Sequence, residues 1–152
     1  MELLVQLWYS EGIPSERMIP VKKCLVLLLA LVLLLTACGG GDVRGHGRHI
    51  GTCEMYSKAE IADAMDEVEG FFKKNFDGCK LILLEYDEEK TADKASGWTE
   101  QYGQEAIVLL SDFEVDASGG DGSLNPGQTY RNYQWILVKT FFGWKLKDWG
   151  YG

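Results

Sequence analysis

Residues 57–78, SKAEIADAMDEVEGFFKKNFDG, carry the clearest structural signal in the chain. Ser57-Lys58-Ala59-Glu60 is a capping box: the Ser hydroxyl can accept from the Glu60 amide while the Glu60 carboxylate reaches back to the Ser57 amide. Tyr56 and Ile61 flank it at the positions of a hydrophobic staple. Ile61, Met65, Val68, Phe72 and Phe76 recur at helical spacing on one face. Asp63, Asp66, Glu67 and Glu69 occupy the other. Lys73 and Lys74 lie in the last turns, where the helix dipole favours cations, and Asp77-Gly78 ends the element. The pattern predicts one long amphipathic helix with a single buried face.

Downstream, the pattern changes to strands. Cys79–Tyr86 (CKLILLEY) reads as a largely buried strand, and Asp87–Lys94 as a charged loop with at most a helical turn before Trp98. Glu105–Val115 is a second strand, and Asp116–Gln128 a long turn-rich loop. Thr129–Phe141 is a third strand, and Phe142-Gly143 turns into a fourth, Trp144–Trp149. Strands and helices do not alternate as βαβ units, so an antiparallel sheet is expected. The fold class is therefore α+β: one long helix on a curved antiparallel sheet of about four strands. This order, closing on Trp144-Lys145-Leu146-Lys147-Asp148-Trp149, resembles the NTF2-like and cystatin-like folds.

Upstream, Lys22-Lys23 precedes the apolar run Cys24–Leu35, and Leu35-Thr36-Ala37-Cys38 precedes three glycines. A basic start, an apolar stretch too short to span a bilayer and a small-residue cleavage site make a secretory signal. The four residues resemble the lipobox of bacterial lipoproteins. That resemblance implies cleavage before Cys38, a diacylglycerol on its thiol, and a protein held on the extracytoplasmic face of the cell membrane. Residues 18–37 are then the signal peptide. Residues 1–17 hold three Glu and one Arg, a poor start for such a signal. Met18 is the expected initiator, and residues 1–17 a mis-annotated start. The stretch from Tyr56 to Tyr151 further resembles uncharacterised lipoproteins of Gram-positive, gut-type bacteria. Asn125-Pro126 after Gly-Asp-Gly-Ser-Leu and the Lys-Asp-Trp-Gly-Tyr ending carry that likeness, which implies fold and location but no activity.

Residues 38–52 are Gly-rich, with Arg44, His46, Arg48 and His49. Their composition predicts a flexible tether between the lipid-bearing Cys38 and a single domain over residues 53–152. The full chain has a net charge of −8, and charges before Cys38 cancel, so the mature chain keeps it. An acidic surface argues against nucleic-acid partners.

From Cys53 onward the chain contains no histidine. This removes the commonest base and metal ligand from the expected domain. Export permits a disulfide between Cys53 and Cys79. The intervening helix, about 30 Å long, makes closure difficult, because the flanking residues recover at most about 24 Å when extended. Two unpaired cysteines are expected.

Three sets of side chains suggest chemistry. Asp112 and Glu114 share a strand face and could supply the carboxylate base of a small-ligand enzyme of NTF2-like type. Simple in–out alternation alone explains them as solvent-facing residues opposite Phe113 and Val115. Asp112, Asp116 and Asp121 are weak calcium candidates: oxygen ligands suit calcium, but the spacing fits no EF-hand and turns use the same residues. On the third strand Tyr133, Trp135 and Leu137 share one face, while Asn132, Gln134, Ile136 and Val138 share the other. If Tyr133, Trp135, Asn132 and Gln134 line a pocket, an apolar or sugar-like ligand could bind there. No cofactor and no resident metal are expected. The expectation is a non-catalytic binding domain, tethered to the membrane through Cys38, with its protein or small-molecule partner unidentified.

Overall fold

The computed structural model describes residues 39–120 and 122–151, so Cys38 and Asp121 lie outside the described residues. The fold is α+β. Its elements are β1 (Gly47–Ile50), α1 (Lys58–Asn75), β2 (Cys79–Tyr86), α2 (Glu88–Tyr102), β3 (Ala106–Val115), β4 (Thr129–Thr140) and β5 (Gly143–Gly150). The five strands form one sheet in the order of the chain. β2 through β5 are antiparallel neighbours, and β1 runs parallel to β2.

α1 forms as its sequence dictates. Ser57 Oγ accepts from the Glu60 amide at 3.2 Å and Glu60 accepts from the Ser57 amide at 3.0 Å, so both halves of the capping box are made. Ile61, Ala64, Met65, Val68 and Phe72 are buried and pack on Leu81, Leu84, Ile107, Leu109, Phe113, Trp135 and Leu137. Burying a large aliphatic or aromatic side chain is worth about 1.5–3 kcal/mol. An exposed ion pair contributes about 0–1 kcal/mol. The apolar stripe, not the charged face, therefore sets where α1 lies.

The expected loop after β2 is instead a full helix. Asp87 caps α2 by accepting from the Glu89 amide at 3.2 Å, Glu88 and Glu89 suit its positive end, and Gly103 closes it in the left-handed region at φ 63°. Only Thr91 of this helix is fully buried, with Ala95, Trp98 and Tyr102 half-buried along the same stripe. α2 covers the sheet face opposite α1. Val108, Leu110, Ile136 and Val138 are buried there, on the alternate face from the residues that meet α1. The architecture is thus three layers, helix–sheet–helix, rather than one helix on one face.

The second correction lies upstream. The flexible tether expected over residues 38–52 is part of the sheet from Asp42 onward, and the folded unit begins at Gly39 rather than residue 53. Asp42 bridges to the start of β2: its amide donates to the Cys79 carbonyl and its carbonyl accepts from Leu81, both at 2.8 Å. Gly47–Ile50 then pairs with Leu83–Tyr86. β1–α1–β2 is therefore a parallel unit inside an otherwise antiparallel sheet. Arg48 ties β1 to α1 through Glu69 at 2.6 Å and Asp66 at 2.5 Å, and His46 Nε2 meets Glu69 at 2.7 Å. Both histidines belong to the folded unit, which corrects the view of a domain without histidine.

The glycines of this segment serve close packing. A Cβ on Gly41 would sit 2.5 Å from both the Phe72 ring and its carbonyl oxygen. One on Gly40 would overlap the Lys73 carbonyl. Cys53 keeps a free thiol, so no bridge joins it to the buried Cys79.

Two outcomes test this account. A chain starting at residue 53 loses β1, the cover over Phe72 and the Arg48 pairs together. Urea unfolding is expected to place it about 3 kcal/mol or more below residues 39–152, and Gly41→Ala is expected to cost about 1–3 kcal/mol through overpacking. The second concerns Glu60. Lys139 hydrogen-bonds it at 2.9 Å and, with the Ser57 groups, lowers its pKa from 4.5 to about 2. A carboxyl depressed on folding stabilises fully above its unfolded pKa and loses that contribution as pH falls. Denaturation midpoints should therefore drop between pH 4.5 and 2 in the parent, and drop less in Glu60→Gln.

Candidate functional site

The residues singled out from the sequence do not form one site. Trp135 is fully buried, and its indole donates to Ser111 Oγ at 2.8 Å beneath α1. Gln134 is buried on the opposite sheet face, beside Trp98 of α2, Ile136 and Asp148. Asn132 is exposed and stands at φ 54° in a β-bulge. Two residues of β4, Arg131 and Asn132, there oppose the single residue Asp112 of β3. Asp112 accepts from the Asn132 amide at 3.0 Å and from the Arg131 guanidinium at 3.5 Å. Its carboxylate supports the bulge and faces no cleft. Glu114, the other candidate base, is exposed near the end of β3.

Of the calcium candidates, Asp121 lies outside the described residues, and Asp112 and Asp116 serve separate local structures. Asp116 accepts from both the hydroxyl and the amide of Ser118, at 2.5 and 2.8 Å, and these bonds lower its pKa. This is a turn held by its own side chain. No cluster of three or more His, Cys, Asp and Glu suited to a metal occurs among the described residues. His46 is tied into the fold: its Nδ1 sits 2.6 Å from the Val43 carbonyl and its Nε2 meets Glu69.

Tyr133 reaches the aromatic cleft. The bulge turns it onto the same face as Tyr130, where it helps to wall a cleft of about 430 Å³ at the C-terminal end of α1. Phe71 and Phe76 come from the last turns of α1, Leu124 from the 116–128 loop and Trp149 from β5. Asn75, Asp77 and Ser123 add polar groups. Phe71 and Trp149 rings are 4.5 Å apart and Phe76 meets Tyr133 edge-on at 6.2 Å, so the wall is a continuous aromatic surface. Burial pushes the Tyr133 hydroxyl up to about 12. It therefore stays neutral at physiological pH. Trp149 is 42% exposed, an unusual state for so large an apolar ring.

The loop bordering the cleft is built rather than slack. The Asp116 amide donates to Gly78, the Gly127 amide to Asp116, and the Asn125 amide to the Tyr130 hydroxyl at 3.0 Å. The Asp77 carbonyl accepts from the Cys79 thiol at 3.5 Å, while its carboxylate makes no hydrogen bond or ion pair among the described residues. A larger groove, about 620 Å³, lies between α2 and residues 55–56, and several of its polar groups serve the fold. Glu88 there takes the amides of Glu54 and Met55, and the Tyr56 hydroxyl donates to Ala106. The aromatic cleft, with its outward-facing Trp149 and the unpaired Asp77 carboxylate, is the candidate site. Phe71, Asn75, Asp77 and Trp149 were missed in the sequence because they come from three separate elements. The aromatic character of the Tyr130–Tyr151 region was the available signal.

No protein-family model, curated protein or solved structure matches this chain.

Replacing Asp112 tests whether it is structural. Asp112→Ala is expected to lower stability by about 1 kcal/mol, since the bulge amide loses its acceptor at a site water can reach. Asp112→Asn keeps an acceptor oxygen and should cost less. Urea-unfolding midpoints read both changes.

Proposed function

We propose that the protein is a membrane-tethered, extracytoplasmic lipoprotein whose domain binds a ligand in the aromatic cleft and catalyses no reaction. The observation that carries the tethering is Leu35-Thr36-Ala37-Cys38 at the end of an apolar run behind Lys22-Lys23. Stable anchoring takes more than one acyl chain, which the diacylglycerol of a lipidated cysteine supplies. Binding is supported by the cleft, whose volume and mixture of aromatic walls with a few polar groups suit a small ligand. The non-catalytic reading is supported by the carboxylates: Asp112 is spent on the β4 bulge, and Asp112 and Glu114 both stand apart from the cleft. The partner of this domain is the membrane on one side and a small molecule on the other. We retain kinship with the NTF2-like and cystatin-like folds as a proposal, supported by α1 on the sheet and the closing β4–β5 hairpin.

Metabolic labelling of cells with a palmitate analogue tests the tether. The parent is expected to carry label and sediment with membranes, and Cys38→Ser to carry none and to be released. A labelled Cys38→Ser protein, or an unlabelled parent, would falsify the lipoprotein reading.

A further inference from the structure

The glycines that follow Cys38 in the chain pack against the end of α1, beside the cleft. Gly39 passes so close to Asp77 that a Cβ would overlap its carboxylate, and Gly40 and Gly41 are pressed as tightly on the last turns of α1. Asp42 is then locked to β2 on both its amide and its carbonyl. Asp77 is also a wall of the aromatic cleft. Cys38 is one peptide link, about 3.8 Å between Cα atoms, from the residue that touches Asp77. A lipid on Cys38 therefore holds the cleft at headgroup level. The opposite end of the domain, where Phe141 and Phe142 are each 95% exposed on the β4–β5 turn, lies beyond the 18-residue length of α1, about 27 Å away.

The cleft's chemistry narrows what it takes from that surface. Phe71, Phe76, Leu124 and Trp149 offer an apolar wall suited to a hydrocarbon tail. Asp77 at the rim accepts hydrogen bonds from hydroxyls and repels anions, and the chain's net charge of −8 adds to that repulsion. We propose that the cleft captures, directly from the membrane in which Cys38 is anchored, a single-tailed amphiphile with an uncharged, hydroxyl-bearing head, of the acylglycerol class. The membrane source rests on the lipidation of Cys38; the ligand chemistry rests on the cleft alone.

Residues 39–152 contain the whole core and serve as the soluble test protein. Monolauroylglycerol, titrated below its micelle threshold, is expected to bind saturably at one site and change tryptophan emission. Laurate, with the same tail and a negative head, should bind at least tenfold more weakly, and Asp77→Asn should shrink that difference. Leu124→Glu, on the loop bordering the cleft, should weaken monolauroylglycerol at least tenfold while the circular dichroism spectrum stays that of the parent. Absence of saturable binding, equal affinity for laurate, or indifference to Leu124→Glu overturns the ligand assignment, whether or not Cys38 is lipidated. Placement is read on the lipidated full chain in vesicles, in a Cys53→Ser background. A fluorophore at Asn75→Cys should be quenched by headgroup-labelled lipid, and one at Phe142→Cys should not. Equal quenching overturns the membrane-facing orientation. Failure of palmitate labelling removes the anchor reading and with it the membrane source, while the solution arm still decides the cleft.

Discussion

β3 and β4 are apolar on both faces where they pair, and the rest of the structure answers that condition. Ala106–Leu110 and Tyr133–Val138 are buried without interruption. A sheet exposed to water on one side alternates apolar and polar residues, whereas a sheet covered on both sides does not. α1 meets Ile107, Leu109, Trp135 and Leu137, and α2 is drawn over Val108, Leu110, Ile136 and Val138. α2 has almost no apolar side chains of its own. Thr91, Ala95, Trp98 and Tyr102 make a narrow stripe, so its place depends on the sheet beneath more than on its own amphipathicity. Asp87 and Gly103 cap it, but the sequence between them has little helical periodicity to mark it as a helix.

Glycine composition admits two opposite readings, and the segment before α1 shows how tertiary packing chooses between them. A residue without a Cβ is flexible where nothing surrounds it and gives close approach where something does. Gly45 has open space around it and takes a positive φ of 71° in a turn. Gly40 and Gly41 lie against the end of α1, where an added Cβ would meet the Lys73 and Phe72 carbonyls. The same letters that suggested a tether hold a strap to the helix. β1 was hidden for a related reason: Gly47–Ile50 has a single aliphatic residue, and its stability comes from pairing with β2 and from Arg48 reaching Glu69 and Asp66.

The β4 bulge has the widest effect on the candidate site. Strict alternation places Asn132 with Gln134 and leaves Tyr130 facing away from Tyr133. The extra residue at Arg131–Asn132, supported by Asp112, puts Tyr130 and Tyr133 on one face, where their rings lie 6.4 Å apart. It also places Phe113 in stacked contact with Tyr130 at 5.1 Å. A carboxylate that reads as a catalytic or calcium candidate on the strand thus acts on backbone geometry, and the cleft it helps to shape lies several residues away.

The sequence by itself determined α1 with its capping box and buried stripe, the four strands from Cys79 onward, the α+β class and the expectation of an exported, lipidated chain. Each of these rests on local chemistry: side-chain periodicity, caps, turn residues and a contiguous motif. Tertiary structure alone decided that α2 covers the second face, that residues 42–50 join the sheet in parallel, and that Phe71, Asp77, Tyr133 and Trp149 meet around one cleft. Those outcomes depend on which surfaces lie opposite one another. A single strand or helix cannot encode that until the bulges, the glycine strap and the doubly buried β3–β4 pair have set the geometry between them.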